Sequence, residues 1–207
     1  QLSTKGFICR LFNFVFELPL LGHFNLSNAL AAFVSIKSLG YSDDLVIPKL
    51  AKLSPPPGRM QKLAKNNIWI DYAHTPDALS NALQTLHLHY PESKLRVVFG
   101  CGGDRDQSKR QQMGKIASEL AHSIILTNDN PRNEQPENII KDILVGVKIE
   151  NNTQVILDRK IAINTAITTL NEDEVLLIAG KGHETTQIIG SQVLPFSDIE
   201  IALDALI

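Results

Sequence analysis

Cysteine is scarce in this sequence: Cys9 and Cys101 are the only two among 207 residues. Two thiols cannot build the disulfide framework of a small secreted module, so a reducing, cytoplasmic setting is expected. Each reads as a small, partly buried apolar side chain. A membrane-length apolar run is missing as well. The most apolar stretch, Phe7 to Leu21, is interrupted by Arg10, Asn13, Glu17 and Pro19, and nothing resembling a signal peptide precedes it. Nor is one sign of charge in excess. There are 20 basic against 22 acidic residues, a formal net charge of -2, so neither a general nucleic-acid binder nor a membrane-surface binder is expected. Internal repeats and low-complexity segments are also lacking.

What is present divides near Ser54-Pro55-Pro56-Pro57-Gly58. Three prolines fix their backbone angles and remove donors, so this run reads as a stiff linker. Before it, Phe12, Phe14, Phe16 and Leu18 alternate with Leu11, Asn13, Val15 and Glu17, which is strand periodicity. Helical patterns follow over Leu26 to Leu39 and Asp43 to Leu53. One hairpin and two helices make a poor independent core, and a chain that runs from Gln1 almost directly into a strand looks like a piece of something larger. Residues 1–55 are therefore expected to complete a domain that begins elsewhere, with marginal order of their own.

Residues 56–207 have a more regular pattern. Apolar runs suited to buried parallel strands occur at Ile68-Ile70, Leu95-Phe99, Ile124-Leu126, Val155-Leu157 and Val175-Ala179. Amphipathic segments of about three turns lie between them. Thr75-Pro76 has the capping hydroxyl and N-terminal proline of a helix start, with Leu79, Leu83 and Leu86 on one face. Pro136 opens a second helix carrying Ile139, Ile140 and Ile143. Gly190-Ser191 breaks the stretch from Gln187 to Leu194 into a hairpin. The expected fold is α/β, a Rossmann-like, mostly parallel sheet with flanking helices.

The unusual residues cluster by position. Ile70 leads into Asp71-Tyr72-Ala73-His74-Thr75-Pro76-Asp77, and Phe99 into Gly100-Cys101-Gly102-Gly103-Asp104-Arg105-Asp106. Leu126 leads into Thr127-Asn128-Asp129-Asn130-Pro131-Arg132, and Ala179 into Gly180-Lys181-Gly182-His183-Glu184. Taken singly, each is ordinary: a tight glycine turn, a solvated histidine, an Asp-Asn-Pro turn, an exposed arginine. Ligands of open parallel sheets bind outside the carboxyl ends of the strands, and four such loops share that edge. Their chemistry is mixed in sign, with Arg105, Arg132, Lys181 and His74 as donors and Asp129 and Glu184 as acceptors. A phosphate site would be basic throughout. Arginine for a carboxylate and Glu184 for an ammonium suit an amino acid.

The segments Gly58-Arg59-Met60, Asp71 to Asp77, Gly100 to Asp106, Asp129 to Arg132 and Gly180 to Glu184, in that order, resemble the carboxyl-terminal third of the Mur ligases. The resemblance is strongest to the members that add meso-diaminopimelate. Upstream, Gly22-His23-Phe24-Asn25-Leu26-Ser27-Asn28-Ala29 is similar to the motif that ends that family's central ATPase domain. The resemblance implies an ATP- and Mg2+-dependent ligase of peptidoglycan precursor synthesis that joins meso-diaminopimelate to a UDP-N-acetylmuramoyl-dipeptide through an acyl phosphate. It implies that Arg105, Asp129, Asn130, Pro131, Arg132, Gly180 and Glu184 form the diaminopimelate pocket. Asn25 and Asn28 match positions near the adenine. Arg59, Asp71 and His74 match groups that meet the nucleotide when domains close. Two positions depart from the family's pattern: Gln61 stands where a glutamate is expected, and Thr186 where an aromatic often stands. No Gly-x-x-Gly-Lys-[Ser/Thr] segment occurs in these 207 residues, so the amino-terminal and central domains of the same enzyme are expected to supply phosphate activation. Two alternatives stay open: a lysine-adding or folylpolyglutamate-type ligase, and a module that binds an amino acid without chemistry.

Overall fold

The computed structural model describes residues 1–63, 67–148, 150 and 152–207. The chain divides into two compact units, Gln1–Pro55 with Thr85–Pro91, and Pro56–Gln84 with Glu92–Ile207.

In the first unit, β1 (Leu2–Ser3), β2 (Gly6–Leu11) and β3 (Phe14–Leu18) form an antiparallel sheet, followed by α1 (His23–Ser38) and α2 (Asp43–Leu50). The alternation read through Phe12 is interrupted. Phe12 adopts a positive φ of 52° and turns the chain with Asn13, so Leu11 pairs with Phe14 across a hairpin. α2 stops at Leu50, short of the expected Leu53, and tolerates Pro48 within it. Two small cores result, one around Phe7, Leu18, Leu20 and Ala29 and the other around Phe33, Val46, Ile47 and Leu50.

The second unit is the α/β domain expected. Its strands are β4 (Gln61–Leu63), β5 (Ile68–Asp71), β6 (Lys94–Phe99), β7 (Ser123–Leu126), β8 (Asn152–Val155) and β9 (Glu174–Ala179). They form one six-stranded sheet in the order β4-β5-β9-β6-β7-β8, parallel except for the β4 edge. The connecting helices are α3 (Pro76–His89), α4 (Ser108–Leu120), α5 (Pro136–Leu144) and α6 (Arg159–Thr168). A separate hairpin, β10 (Thr186–Ile189) with β11 (Gln192–Pro195), turns at Gly190-Ser191, and α7 (Asp198–Asp204) closes the chain. As the sequence suggested, the Thr75 hydroxyl accepts from the Ala78 N–H at the start of α3. Ile139, Ile140 and Ile143 are buried along α5.

The strand expected at Val155–Leu157 lies earlier and is not buried. β8 has a neighbour on one side only, and Asn152, Gln154 and Val155 are exposed along it. An edge strand needs no apolar run, so hydrophobicity marked the residues that leave the sheet instead: Ile156 packs onto the core.

β9 is last in sequence among the sheet strands but sits between β5 and β6. This reversal places β5, β9, β6 and β7 side by side, and these are the four strands whose outgoing loops carry the glycine and charge.

Below that edge, Arg159 is completely buried at the start of α6. Its Nε and Nη2 donate to the two Asp198 carboxylate oxygens at 2.8 and 2.7 Å. Nη2 also donates to the Ala179 carbonyl at 2.8 Å, and Nη1 to the Asn128 carbonyl at 3.3 Å. Arg159→Met leaves Asp198 as an uncompensated buried charge. The expected loss is about 3–5 kcal/mol, seen as an earlier urea transition of Trp69 fluorescence on β5.

Candidate functional site

The carboxyl edge of the sheet encloses a cavity of about 410 Å3, built by the second unit alone. Tyr72 and His74 enter it after β5; Gly102, Arg105, Asp106 and Lys109 after β6; Asp129, Asn130 and Arg132 after β7; Gly180 and Glu184 after β9. Six of the seven residues named for the amino-acid pocket thus line one space. The seventh, Pro131, is buried between Asn130 and Arg132. His74, assigned to the nucleotide side, lines it too.

Close backbone approach shapes the floor. A Cβ on Gly58 would lie 2.2 Å from backbone atoms of Gly182 and His183, and both glycines have positive φ, 65° and 54°. This contact brings Arg59 beside the β5 loop, where its guanidinium stands 4.7 Å from the centre of the Tyr72 ring. Asp71 is not presented to the cavity. Its buried Oδ2 accepts from the Met60 N–H at 2.7 Å, so it holds the Gly58–Met60 turn, and burial raises its carboxyl above the usual range. Asn25 and Asn28 lie on α1 in the first unit; Asn25 Nδ2 donates to the Leu21 carbonyl at 2.8 Å, and Asn28 is exposed.

The β7 loop is held from several directions. Arg132 has a left-handed φ of 52°, a conformation that persists where the surroundings over-determine it. Its N–H donates to the Ile188 carbonyl, and its own carbonyl accepts from Gly190. Its Nη1 donates to the Gly103 carbonyl at 2.8 Å, tying the loop to its neighbour. Beneath them, buried Arg110 grips Glu134 through both terminal nitrogens at 2.8 and 2.9 Å and also reaches Asp142. Glu134 in turn accepts from the Asp104 N–H.

Lys181 differs from the sequence expectation. It is fully buried, so it is no open donor: its Nζ donates to Asn130 Oδ1 at 3.0 Å and to Glu184 Oε2 at 2.9 Å. Asn130 Nδ2 reaches the same Glu184 oxygen at 3.2 Å. Burial opposes ionisation of Glu184, but these partners hold its carboxyl below the usual carboxylate range. Asp129, almost entirely enclosed, is pushed the other way by burial, with Arg159 and Lys181 opposing that rise. Tyr72 is raised by burial and by the nearby Glu184.

Sequence reasoning missed Tyr72, Gly102, Asp106 and Lys109 as pocket residues, although the first three stand in the segments it marked. Lys109 had a signal: it opens the helix that follows the glycine-rich loop, and its Nζ donates to the His74 carbonyl at 2.8 Å. Arg110 and Arg159 gave none, since a buried arginine and a surface arginine on a helix look alike in sequence. Among the described residues no group of three or more His, Cys, Asp or Glu is arranged to hold a metal ion, and no helix is long and apolar enough to cross a membrane.

A family model described as "Mur ligase, glutamate ligase domain" matches residues 58–182. The UDP-N-acetylmuramoyl-L-alanyl-D-glutamate--2,6-diaminopimelate ligase of Rickettsia conorii is 47% identical over 187 residues, which cover 90% of this chain and 39% of that protein. The ligase of the same name from Coxiella burnetii is 49% identical over 194 residues, 92% of this chain and 40% of that protein. A solved structure of such a diaminopimelate ligase superposes with a TM-score of 0.73 at 40% identity, covering 93% of this chain and 40% of that one. The chain thus spans about two fifths of the length of the curated relatives it matches.

Two outcomes test the geometry. A Cβ at residue 180 would stand 2.7 Å from Asp129 Oδ2 on a backbone with φ of 114°, so Gly180→Ala should destabilise the second unit by about 1–3 kcal/mol in urea titrations. Cys101 is buried, and its thiol is pushed up to about 12 by burial, so iodoacetamide at neutral pH should modify it only after unfolding, as read by peptide mass spectrometry.

Proposed function

The chain belongs to the Mur ligase family, and we propose that it is the amino-acid-reading part of a ligase that adds meso-diaminopimelate to UDP-N-acetylmuramoyl-L-alanyl-D-glutamate in peptidoglycan precursor synthesis. The observation that carries this reading is the cavity itself. Its lining offers two arginines, Arg132 and Arg105, and two carboxyl groups, Glu184 and Asp129. A diamino diacid has a second amino-acid head remote from its reacting amine. Arg132 suits that head's carboxylate, since a guanidinium fork matches two oxygens, and Glu184 suits its ammonium.

The division of labour follows from what the residues can do. Residues 1–55 form the end of a central ATP-binding domain, and 56–207 the domain that holds the amino acid. ATP with Mg2+ supplies the activated acyl phosphate on the muramoyl dipeptide, with most ligands for that step outside these residues. This chain's own part is orientation: it fixes the amino acid so that its free amine faces the acyl carbon, which accounts for a large share of the rate in such reactions. Arg59, exposed beside the Tyr72 ring, is placed to meet the nucleotide, while Asp71 sets the turn that carries it. The setting is cytoplasmic, where both substrates are soluble.

Choice between diaminopimelate and lysine rests on Arg132. Lysine has no distal carboxylate and leaves the guanidinium charge without an anion to match it, a penalty that discriminates against it. Calorimetric titration of the 207-residue chain should show meso-diaminopimelate bound at least about tenfold more tightly than L-lysine, with Arg132→Ala abolishing the difference. Equal affinity for the two amino acids in the unaltered chain would favour a lysine-adding ligase instead.

A further inference from the structure

The acidic wall of the pocket contains its own cation. Lys181 is fully buried, yet its ammonium lies one hydrogen bond from Glu184, whose side chain is about one third exposed. Asn130 completes the arrangement: its Oδ1 accepts from Lys181 and from the Ile188 N–H, while its Nδ2 donates to Glu184. The Glu184 N–H donates to the Lys181 carbonyl, so the two side chains leave a single tight turn. Both Lys181 and Asn130 act on the same oxygen, Oε2, which fixes the carboxylate against rotation.

We propose that Lys181 is a positioning residue for amino-acid recognition: without touching the ligand, its buried ammonium fixes the Glu184 carboxylate in the pocket wall as the acceptor for an incoming ammonium group. Arg159 is matched by Asp198, and Lys181 is the cation bonded to Glu184, with Asp129 enclosed beside them. Without Lys181 two carboxylates would face each other in the buried wall, and Glu184 would be free to turn to solvent.

The role of the ligand's ammonium rests on the functional reading above, but the arrangement of Lys181 and Glu184 does not, so two measurements separate them. The first is calorimetry with meso-diaminopimelate on the 207-residue chain across pH. Lys181→Met should weaken binding about tenfold or more at neutral pH, the scale of losing a charge-assisted hydrogen bond. Binding of an ammonium needs the ionised carboxylate, so it fades as pH falls through the Glu184 titration. Lys181, with Asn130, holds that titration low, against Asp129, Tyr72 and burial; His74 and Arg159 are the other basic groups nearby. In Lys181→Met the acid limb should therefore move to higher pH, a change that a merely structural role would not produce.

The second measurement is the 13C titration of the Glu184 carboxyl, identified by its loss in Glu184→Gln. Its midpoint should rise in Lys181→Met whether or not diaminopimelate is the ligand. An unmoved midpoint, or unchanged affinity in Lys181→Met, overturns the proposal. Failure of the unaltered chain to bind diaminopimelate, with the carboxyl midpoint still rising, overturns the ligand assignment and leaves the positioning role standing. If Lys181→Met alone does not fold, Glu184→Gln is compared with the double variant Lys181→Met/Glu184→Gln. The two should bind within about twofold of each other, and a further tenfold loss in the double variant would mean that Lys181 acts independently of Glu184.

Discussion

The site depends on one buried ion pair, Arg159 with Asp198, neither of which is exposed to solvent. A lone guanidinium at that depth would be costly, and a bidentate carboxylate offsets the cost only because the remaining donors are also used. They are used on the Ala179 and Asn128 carbonyls, at the ends of β9 and β7. The same guanidinium therefore settles its own burial and sets where two of the four pocket loops depart from the sheet. Because β9 is inserted between β5 and β6, and β7 follows β6, fixing the ends of β7 and β9 frames the β6 loop from either side.

Above this pair the charges are layered. Arg110 with Glu134 and Asp142 ties the β6 and β7 loops from below, and Lys181 with Asn130 and Glu184 ties the β7 and β9 loops at the level of the cavity. Three cations are enclosed, and the exposed or half-exposed ones, Arg105, Lys109 and Arg132, line the cavity. On the proposed reading, the walls of the pocket are preorganised by three enclosed cations that do not themselves meet the amino acid, which lowers the ordering cost of binding.

Much of this was legible in the sequence, and the exceptions share a cause. Central strands such as Val175–Ala179 announce themselves because both faces are covered, and their outgoing loops because glycine and charge seldom crowd together after a buried strand. β8 was misplaced because an edge strand has no such need for apolar residues. Arg132 and Lys181 are both cations in glycine- or proline-bearing loops, and nothing local says that one faces the cavity while the other is wholly enclosed. That distinction arises from tertiary packing, from the acidic partners that happen to lie around each group. Likewise, the grouping of Thr85–Pro91 with the first unit, although α3 begins in the second, follows from contacts distant in sequence.

The hairpin of β10 and β11 supports Arg132 almost wholly through main-chain atoms: Ile188 and Gly190 hold it by carbonyl and N–H, and Arg132 bridges to Ile189 in parallel fashion. Its outward side chains Val193 and Leu194 are exposed. Such a support tolerates drift in composition but not in length. Apart from Gln187, whose buried amide donates to the Asp129 carbonyl, related chains are free to recolour this hairpin while keeping the pocket intact, whereas a single inserted residue before Gly190 would shift the scaffold under the arginine. The evolutionary record of this segment should therefore be written in substitutions, with gaps confined to the far turn.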